Sequence, residues 1–214
     1  MRLASEGVVL SRWPFRESSL VVGLFLRGEG YLRAVARGAR RPRSPFRGAL
    51  EPFARVEAEV LLKEGAELGT LVRCDLVEGS VDLFSVWPRA QVLEGIREVL
   101  ERGLPPLSRE EETFRLVRAL LTALREGMDP RLAWVYFLAW FLRLHGVAEN
   151  LPAVAPPDAA ELLGVLLRRP PREVPRGALS HAPALAAHLR RFLERYLGGP
   201  LRAAPPLEDG ASGV

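Results

Sequence analysis

The stretch that decides the fold is Leu20–Arg41, which reads LVVGLFLRGEGYLRAVARGARR. At its start, apolar residues recur at every second position: Leu20, Val22, Leu24 and Leu26. A period of two is typical of a β-strand that places these side chains on one face. A Gly-Glu-Gly turn follows at residues 28–30, where glycine tolerates a positive φ. A second strand over Tyr31–Gly38 then completes a predicted β-hairpin.

Three more strands are predicted around this hairpin. Ala54–Leu62 alternates apolar residues with charged ones, and further strands are expected near residues 3–12 and 68–78. Five strands in about 80 residues match the size of a Greek-key barrel of the OB (oligonucleotide/oligosaccharide-binding) type. The pattern alone also fits an SH3-like barrel, so both alternatives stay open at this point.

Beyond residue 85 the apolar period becomes helical. Pro88–Arg102 carries one apolar stripe, and Ser108-x-x-Glu111 predicts a capping box that opens the next helix. Asp129-Pro130 predicts the start of a third helix, with an N-cap followed by an N1 proline. That helix is apolar nearly all round, so we expect it at the centre of a small bundle.

The predicted fold class is therefore α+β, with an OB-fold barrel over residues 1–80 and an all-α helical domain over residues 81–202. Within the helical domain, residues 146–184 are proline-rich and irregular, with room for one short helix near Asp158–Arg168. A last amphipathic helix ends at Gly198, and residues 203–214 are expected to be a flexible tail.

Positive charge is concentrated at the start of the chain. The formal net charge is +4, but residues 1–47 hold ten arginines against three glutamates. The remaining chain therefore has a small acidic excess. This distribution predicts an anionic partner for one part of the molecule.

Several classes of protein are disfavoured. The lone cysteine, Cys74, excludes an internal disulfide and multi-cysteine metal motifs, and it is expected in the core. The three histidines are too dispersed to predict a metal site, and no P-loop, GxGxxG, HExxH or GxSxG motif is present. No enzyme, cofactor or metal is therefore predicted. No signal peptide or spanning segment is expected, which predicts a soluble, cytoplasmic protein.

The sharpest local feature is Arg37–Arg47, RGARRPRSPFR, which has no acidic residue. Two prolines disfavour helix and strand, so a mobile loop is predicted. Guanidinium groups bind phosphates and release counterions, so these side chains are candidate DNA ligands: Arg37, Arg40, Arg41, Arg43 and Arg47. The alternative is a solvated loop without a partner.

Two aromatic sites are candidates for stacking on bases. Tyr31, Arg33 and Arg37 share one face of a strand and suggest a stacking platform, although Tyr31 would equally suit a barrel cap. Trp13-Pro14-Phe15 in the first loop is a second candidate, or it simply packs. Glu17 is expected to orient an arginine through a salt bridge.

Several segments, in this order and at this spacing, resemble the RecO family of bacterial recombination mediators. The resemblance rests on these stretches: Glu6–Leu10, Arg12, Arg16–Ser19, Val21–Phe25, Val35–Arg41 (VARGARR) and Leu50–Phe53 (LEPF). It implies an OB fold, a helical C-terminal domain and no enzymatic turnover. It adds Arg12 and Arg16 to the candidate DNA ligands.

The resemblance also implies a function. Such a protein would bind single- and double-stranded DNA, anneal complementary strands, and act with RecR and single-stranded DNA-binding protein (SSB) in loading RecA. It would be cytoplasmic and associated with the nucleoid. Many relatives carry a four-cysteine zinc ribbon after the central helix, whereas His145–Ser180 here contains no cysteine. Zinc is therefore not predicted for this chain.

One helix face is a candidate site for the SSB tail. Arg115, Arg118 and Arg125 share that face and would attract an acidic peptide with an apolar end, or they form a plain solvated face. Two other functions stay open: an RNA-binding OB-fold protein, and a protein-interaction scaffold with a basic N-terminal domain. Preference for structured RNA, or failure to retain nucleic acid at physiological salt, would indicate them.

Overall fold

In the part of the chain that the structure describes, five strands are followed by helices, and the predicted α+β class is confirmed. The computed structural model describes residues 1–147, 157–203 and 205. The strands are β1 (Arg2–Phe15), β2 (Ser19–Leu26), β3 (Gly30–Ala36), β4 (Arg55–Leu61) and β5 (Leu68–Glu78). The helices in the described residues are α1 (Val81–Phe84), α2 (Trp87–Gly103), α3 (Glu111–Arg125), α4 (Pro130–Leu144), α5 (Pro157–Leu166) and α6 (Ala182–Tyr196), with 3₁₀ turns at Pro171–Glu173 and Arg176–His181.

The strands close into a barrel in the order β1-β2-β3-β5-β4. β1 is long enough to pair with β4 along its first half and with β2 along its second, and the pairing with β2 contains an irregularity between Val9 and Ser11. β3 and β5 pair in parallel, while the other neighbours are antiparallel. This Greek-key order confirms the predicted OB-type barrel.

The barrel core follows the alternation seen in the sequence. Val22, Leu24 and Leu26 of β2 are fully buried, and alternate residues of the other strands face them. Cys74 of β5 lies in the same cluster, as predicted. Burial, followed by the charge of Asp75, raises the pKa of its thiol to about 12.

The described chain divides into two compact units, which are treated separately below. The first comprises Met1–Phe84 and Leu100–Phe114, and the second comprises Ser85–Val99 and the chain from Arg115 onward. The first unit thus includes Leu100–Phe114, a segment that the sequence-based division assigns to the helical domain.

Within the first unit, Leu100–Phe114 packs on the barrel. Phe114 meets Phe25 edge-on, with ring centroids 5.4 Å apart, and Arg27 forms an ion pair with Glu111 at 3.0 Å. Gly30 has φ +81°, and a Cβ placed there would lie 2.0 Å from the carbonyl oxygen of Ser108. The close approach of Ser108 therefore requires glycine at position 30.

Within the second unit, α4 is buried on all sides, as predicted for a central helix. Asp129 caps it by accepting a hydrogen bond from the Arg131 backbone N–H at 2.8 Å, and Pro130 occupies the first turn. Trp140 donates from Nε1 to the Leu166 carbonyl at 3.0 Å. The predicted cap and helix are therefore confirmed.

The predicted capping box at Ser108 is wrong. α3 begins at Glu111, and the Ser108 hydroxyl donates to the Glu110 carboxylate at 3.2 Å instead of capping the helix. The reason is that the Ser108 N–H donates to the Pro105 carbonyl, which keeps this residue in the preceding turn.

Of the proline-rich stretch 146–184, residues 148–156 lie outside the described residues, as does the predicted tail apart from residues 203 and 205.

Candidate nucleic-acid interface

The arginines of residues 1–84, all of which the structure describes, fall into two groups. Five form ion pairs with carboxylates: Arg2 with Glu59, Arg12 with Glu51, Arg27 with Glu111, Arg55 with Glu6 and Glu78, and Arg73 with Asp75. The others form no such pair: Arg16, Arg33, Arg37, Arg40, Arg41, Arg43 and Arg47. All members of the second group lie between residues 16 and 47, so the arginines without a carboxylate partner are confined to one stretch of the barrel sequence.

Part of this region is a cleft of about 550 Å³ at one end of the barrel. Its cationic side chains are Arg16, Arg37 and Arg41, and no residue that lines it is acidic. The other side chains that line it are those of Phe15, Ser18, Ser19, Val35, Leu68 and Thr70. The cleft is therefore a concave, positively charged surface with an apolar part.

Strand pairing and one glycine explain how the cleft forms. Val35 of β3 is opposite Thr70 of β5, which brings the two walls together. Gly38 follows with φ +68°, and its carbonyl accepts a hydrogen bond from the Arg41 N–H at 3.0 Å. This tight turn returns the chain so that Arg41 lines the same cleft as Arg37.

Arg40 attaches the loop to the turn between β1 and β2. Its backbone N–H donates to the Ser18 carbonyl at 2.9 Å, and its guanidinium donates to the Glu17 carbonyl at 3.2 Å. Glu17 was expected to orient an arginine through its carboxylate, and that prediction is wrong because the contact uses its backbone oxygen. Arg40 therefore positions the cleft, whereas Arg37 and Arg41 line it.

The loop Arg37–Arg47 contains neither helix nor strand, as predicted, but it is attached more firmly than a mobile loop. Phe46 is only 6% exposed and belongs to the barrel core, where Ala49 and Leu50 join it. Successive turns link the residues before it, including a hydrogen bond from the Ser44 N–H to the Arg41 carbonyl. Arg43 and Arg47 remain exposed.

Tyr31 does not form a stacking platform. It is 7% exposed. The Leu107 N–H donates to the Tyr31 carbonyl and the neighbouring Pro106 forms a bridge with this residue, so the chain near Pro106 runs beside it. A ring buried in this way cannot stack on a base, so the platform prediction is wrong at Tyr31. Arg33 on the same strand is exposed but does not line the cleft.

The second predicted aromatic site, Trp13-Pro14-Phe15, lies next to the arginines of the cleft. Phe15 is half-buried and lines the cleft, with the Arg16 guanidinium 5.3 Å from its ring centroid. Trp13 is 40% exposed and pairs with Val21 of β2. Arg12, a predicted ligand, is instead held by two bonds to Glu51, at 2.8 and 2.7 Å.

Sequence reasoning missed the contribution of β5 to the cleft. Leu68 and Thr70 line it because β5 pairs in parallel with β3, across more than 30 residues of sequence. Local periodicity carries no signal for such a pairing. The serines at 18 and 19 were noted only as part of a resemblance.

The predicted SSB-tail residues lie on α3. Arg115 is exposed, Arg118 and Arg125 are half-buried, and all three have interactions within the protein. A cavity of about 140 Å³ in the second unit is lined by Met128, Leu132 and Val174 among others, but by none of these arginines. This cavity is therefore not an apolar pocket beside the three arginines.

The described residues contain neither a metal-binding cluster nor a helix suited to cross a membrane. No group of three or more His, Cys, Asp or Glu side chains there is arranged to hold a metal ion. None of the described helices combines the length and apolar character needed to cross a membrane.

The barrel and its arginine-lined cleft place the first unit in the class of OB folds. The family model for the recombination protein O N-terminal region matches residues 1–80. The DNA repair protein RecO of Geobacter sulfurreducens is 34% identical over 98% of this chain and 90% of its own length. The chain belongs to the RecO family of DNA repair and recombination proteins.

Other relatives match over different shares of the chain. RecO of Koribacter versatilis is 36% identical over 69% of this chain, and the match spans only 60% of that relative. RecO of Azoarcus is 31% identical over 94% of this chain and 93% of its own length. The resemblance seen in the sequence is therefore confirmed at the level of the family.

Proposed function

We propose that this protein is a recombination mediator that binds single- and double-stranded DNA through the cleft and the loop Arg37–Arg47. The observation that carries the proposal is the separation of the barrel arginines into two groups. The arginines outside residues 16–47 are matched by carboxylates, whereas seven of the eight within that range are not, Arg27 being the exception. Phosphates would supply the missing negative charge and release counterions on binding.

The proposed mechanism is binding and positioning, without bond chemistry or ATP hydrolysis. Arginines on the cleft and on the exposed loop would hold the phosphates of two strands at once. Their positive charge reduces the repulsion between the strands, so complementary bases meet more often. Annealing would follow from this screening.

Protein partners complete the proposal. We expect the protein to act with RecR in loading RecA onto SSB-coated DNA, in the cytoplasm and near the nucleoid. The acidic tail of SSB would meet Arg115, Arg118 and Arg125 on α3. Support for this part comes from family membership and from the position of these arginines on one helix.

Annealing of two complementary oligonucleotides, with and without SSB and without ATP, tests the proposal. The wild-type protein is expected to accelerate annealing in both conditions. Arg37→Ala with Arg41→Ala should lose most of the acceleration, because both residues line the cleft. The matched control is Arg2→Ala with Arg73→Ala, which removes the same charge from two exposed but paired arginines.

Two outcomes would contradict the proposal. One is a wild-type protein that leaves the annealing rate unchanged in both conditions. The other is a preference for structured RNA over single-stranded DNA in direct competition, which would place the protein among RNA-binding OB folds.

A further inference from the structure

Side chains of two chemical kinds line the cleft at the end of the barrel. Arg16, Arg37 and Arg41 provide positive charge, and Ser18, Ser19 and Thr70 contribute hydroxyl groups. Apolar atoms of Phe15, Val35 and Leu68 line the remainder. Binding of a phosphate alone would leave that apolar part unused, so the lining matches a ligand that joins an anion to a flat apolar group.

The size of the cleft fits such a ligand. Its volume of about 550 Å³ lies within the range of roughly 300–1,000 Å³ typical of small-molecule sites. Three guanidinium groups line one cavity without a carboxylate among its lining residues, so they repel one another until an anion binds. A nucleotide combines the required phosphate with a planar aromatic base.

We propose that this cleft holds one unstacked nucleotide of a DNA single strand, with its phosphate on Arg37 and Arg41 and its base against Phe15. The inference rests on the DNA binding proposed above and adds what is recognised there. Stacking on an aromatic ring is tolerant of base identity, since every base has a flat face. The cleft would therefore favour single strands without reading their sequence.

Duplex DNA would use the same region differently. Each base of a duplex is stacked and paired, so it enters a cleft only after it is unpaired and unstacked. The loop arginines outside the cleft, such as Arg43 and Arg47, are exposed and would contact duplex phosphates without this step. The cleft thus distinguishes a strand that is ready to anneal from one that is already paired.

The experiment compares two probes of equal charge: an oligothymidylate of about twelve nucleotides and an abasic strand of the same length. Wild-type protein is expected to bind the thymidylate at least about fivefold more tightly at one fixed salt concentration. Phe15→Ala should bring the two affinities together without changing that for the abasic strand. Phe15→Trp should keep the difference. Trp87→Ala, which removes an exposed aromatic side chain of the second unit, is the control and should leave both affinities unchanged.

A second variant can be used if Phe15→Ala fails to fold. Thr70→Trp fills the cleft from the β5 wall and should also remove the preference for the thymidylate. Equal affinity of the wild-type protein for both probes would overturn the inference but leave phosphate binding by the arginines intact. Failure to bind either probe would instead contradict the proposed function itself.

Discussion

The arginines of the barrel differ in whether a carboxylate pairs with them. Arg2 is hydrogen-bonded to Glu59, and this bond together with the carboxylate charge raises its pKa. Arg37 and Arg41 have no carboxylate partner and line one cleft. From composition alone, these three arginines are equally good candidates for binding an anion. Only the ion pairs seen in the structure distinguish them. Charge matters for binding where it lacks an internal partner.

Cys74 provides a test of the barrel core. The thiol is 4% exposed and its pKa is raised to about 12, so it should not react with a thiol-specific reagent in the folded protein. Full labelling is expected after denaturation. Because the folded pKa exceeds the ordinary value of 9.0, stability should fall as pH rises from about 9 toward 12.

Cys74→Ala serves as the control for this pH dependence. The variant lacks the thiol, so its free energy of unfolding should lose this component of the decline between those pH values. Equal labelling rates in folded and denatured wild-type protein would show that Cys74 is not in the core.

The strands and most helices could be predicted from the sequence because their signals are local. Alternation, glycine turns and the Asp129-Pro130 cap each depend on neighbouring residues. The sequence left burial of Tyr31 and a stacking platform equally open, because Pro106 and Leu107, which contact its backbone, lie more than 70 residues away. The candidate site was predicted in the same uneven way: its loop arginines were found, but its β5 wall was not.

Substitutions at the starts of α4 and α3 should differ in their effect on stability. Asp129→Ala removes the side chain that accepts the Arg131 N–H, and the free energy of unfolding should fall by about 1 kcal/mol. Ser108→Ala removes no helix cap, so a change within about 0.5 kcal/mol is expected. Denaturant titration of both variants measures the difference. A larger loss for Ser108→Ala would contradict the position of the α3 start.

For the first unit taken together, the arrangement of charge matters more than its sum. The formal value of +4 averages a region between residues 16 and 47, where seven arginines lack carboxylate partners, with regions where arginines are paired. An OB-type barrel positions this region around one cleft and one loop. The partner that we propose for both is a phosphate backbone.

The most direct test of this account is the salt dependence of single-stranded DNA binding. Each phosphate contact contributes about 0.7 to the slope of log K against log salt concentration, so Arg37→Ala with Arg41→Ala should reduce the slope by roughly 1.4. Arg2→Ala with Arg73→Ala removes the same charge and should leave the slope unchanged. Equal slopes for the wild-type protein and both double variants would contradict the assignment of the DNA site to this cleft.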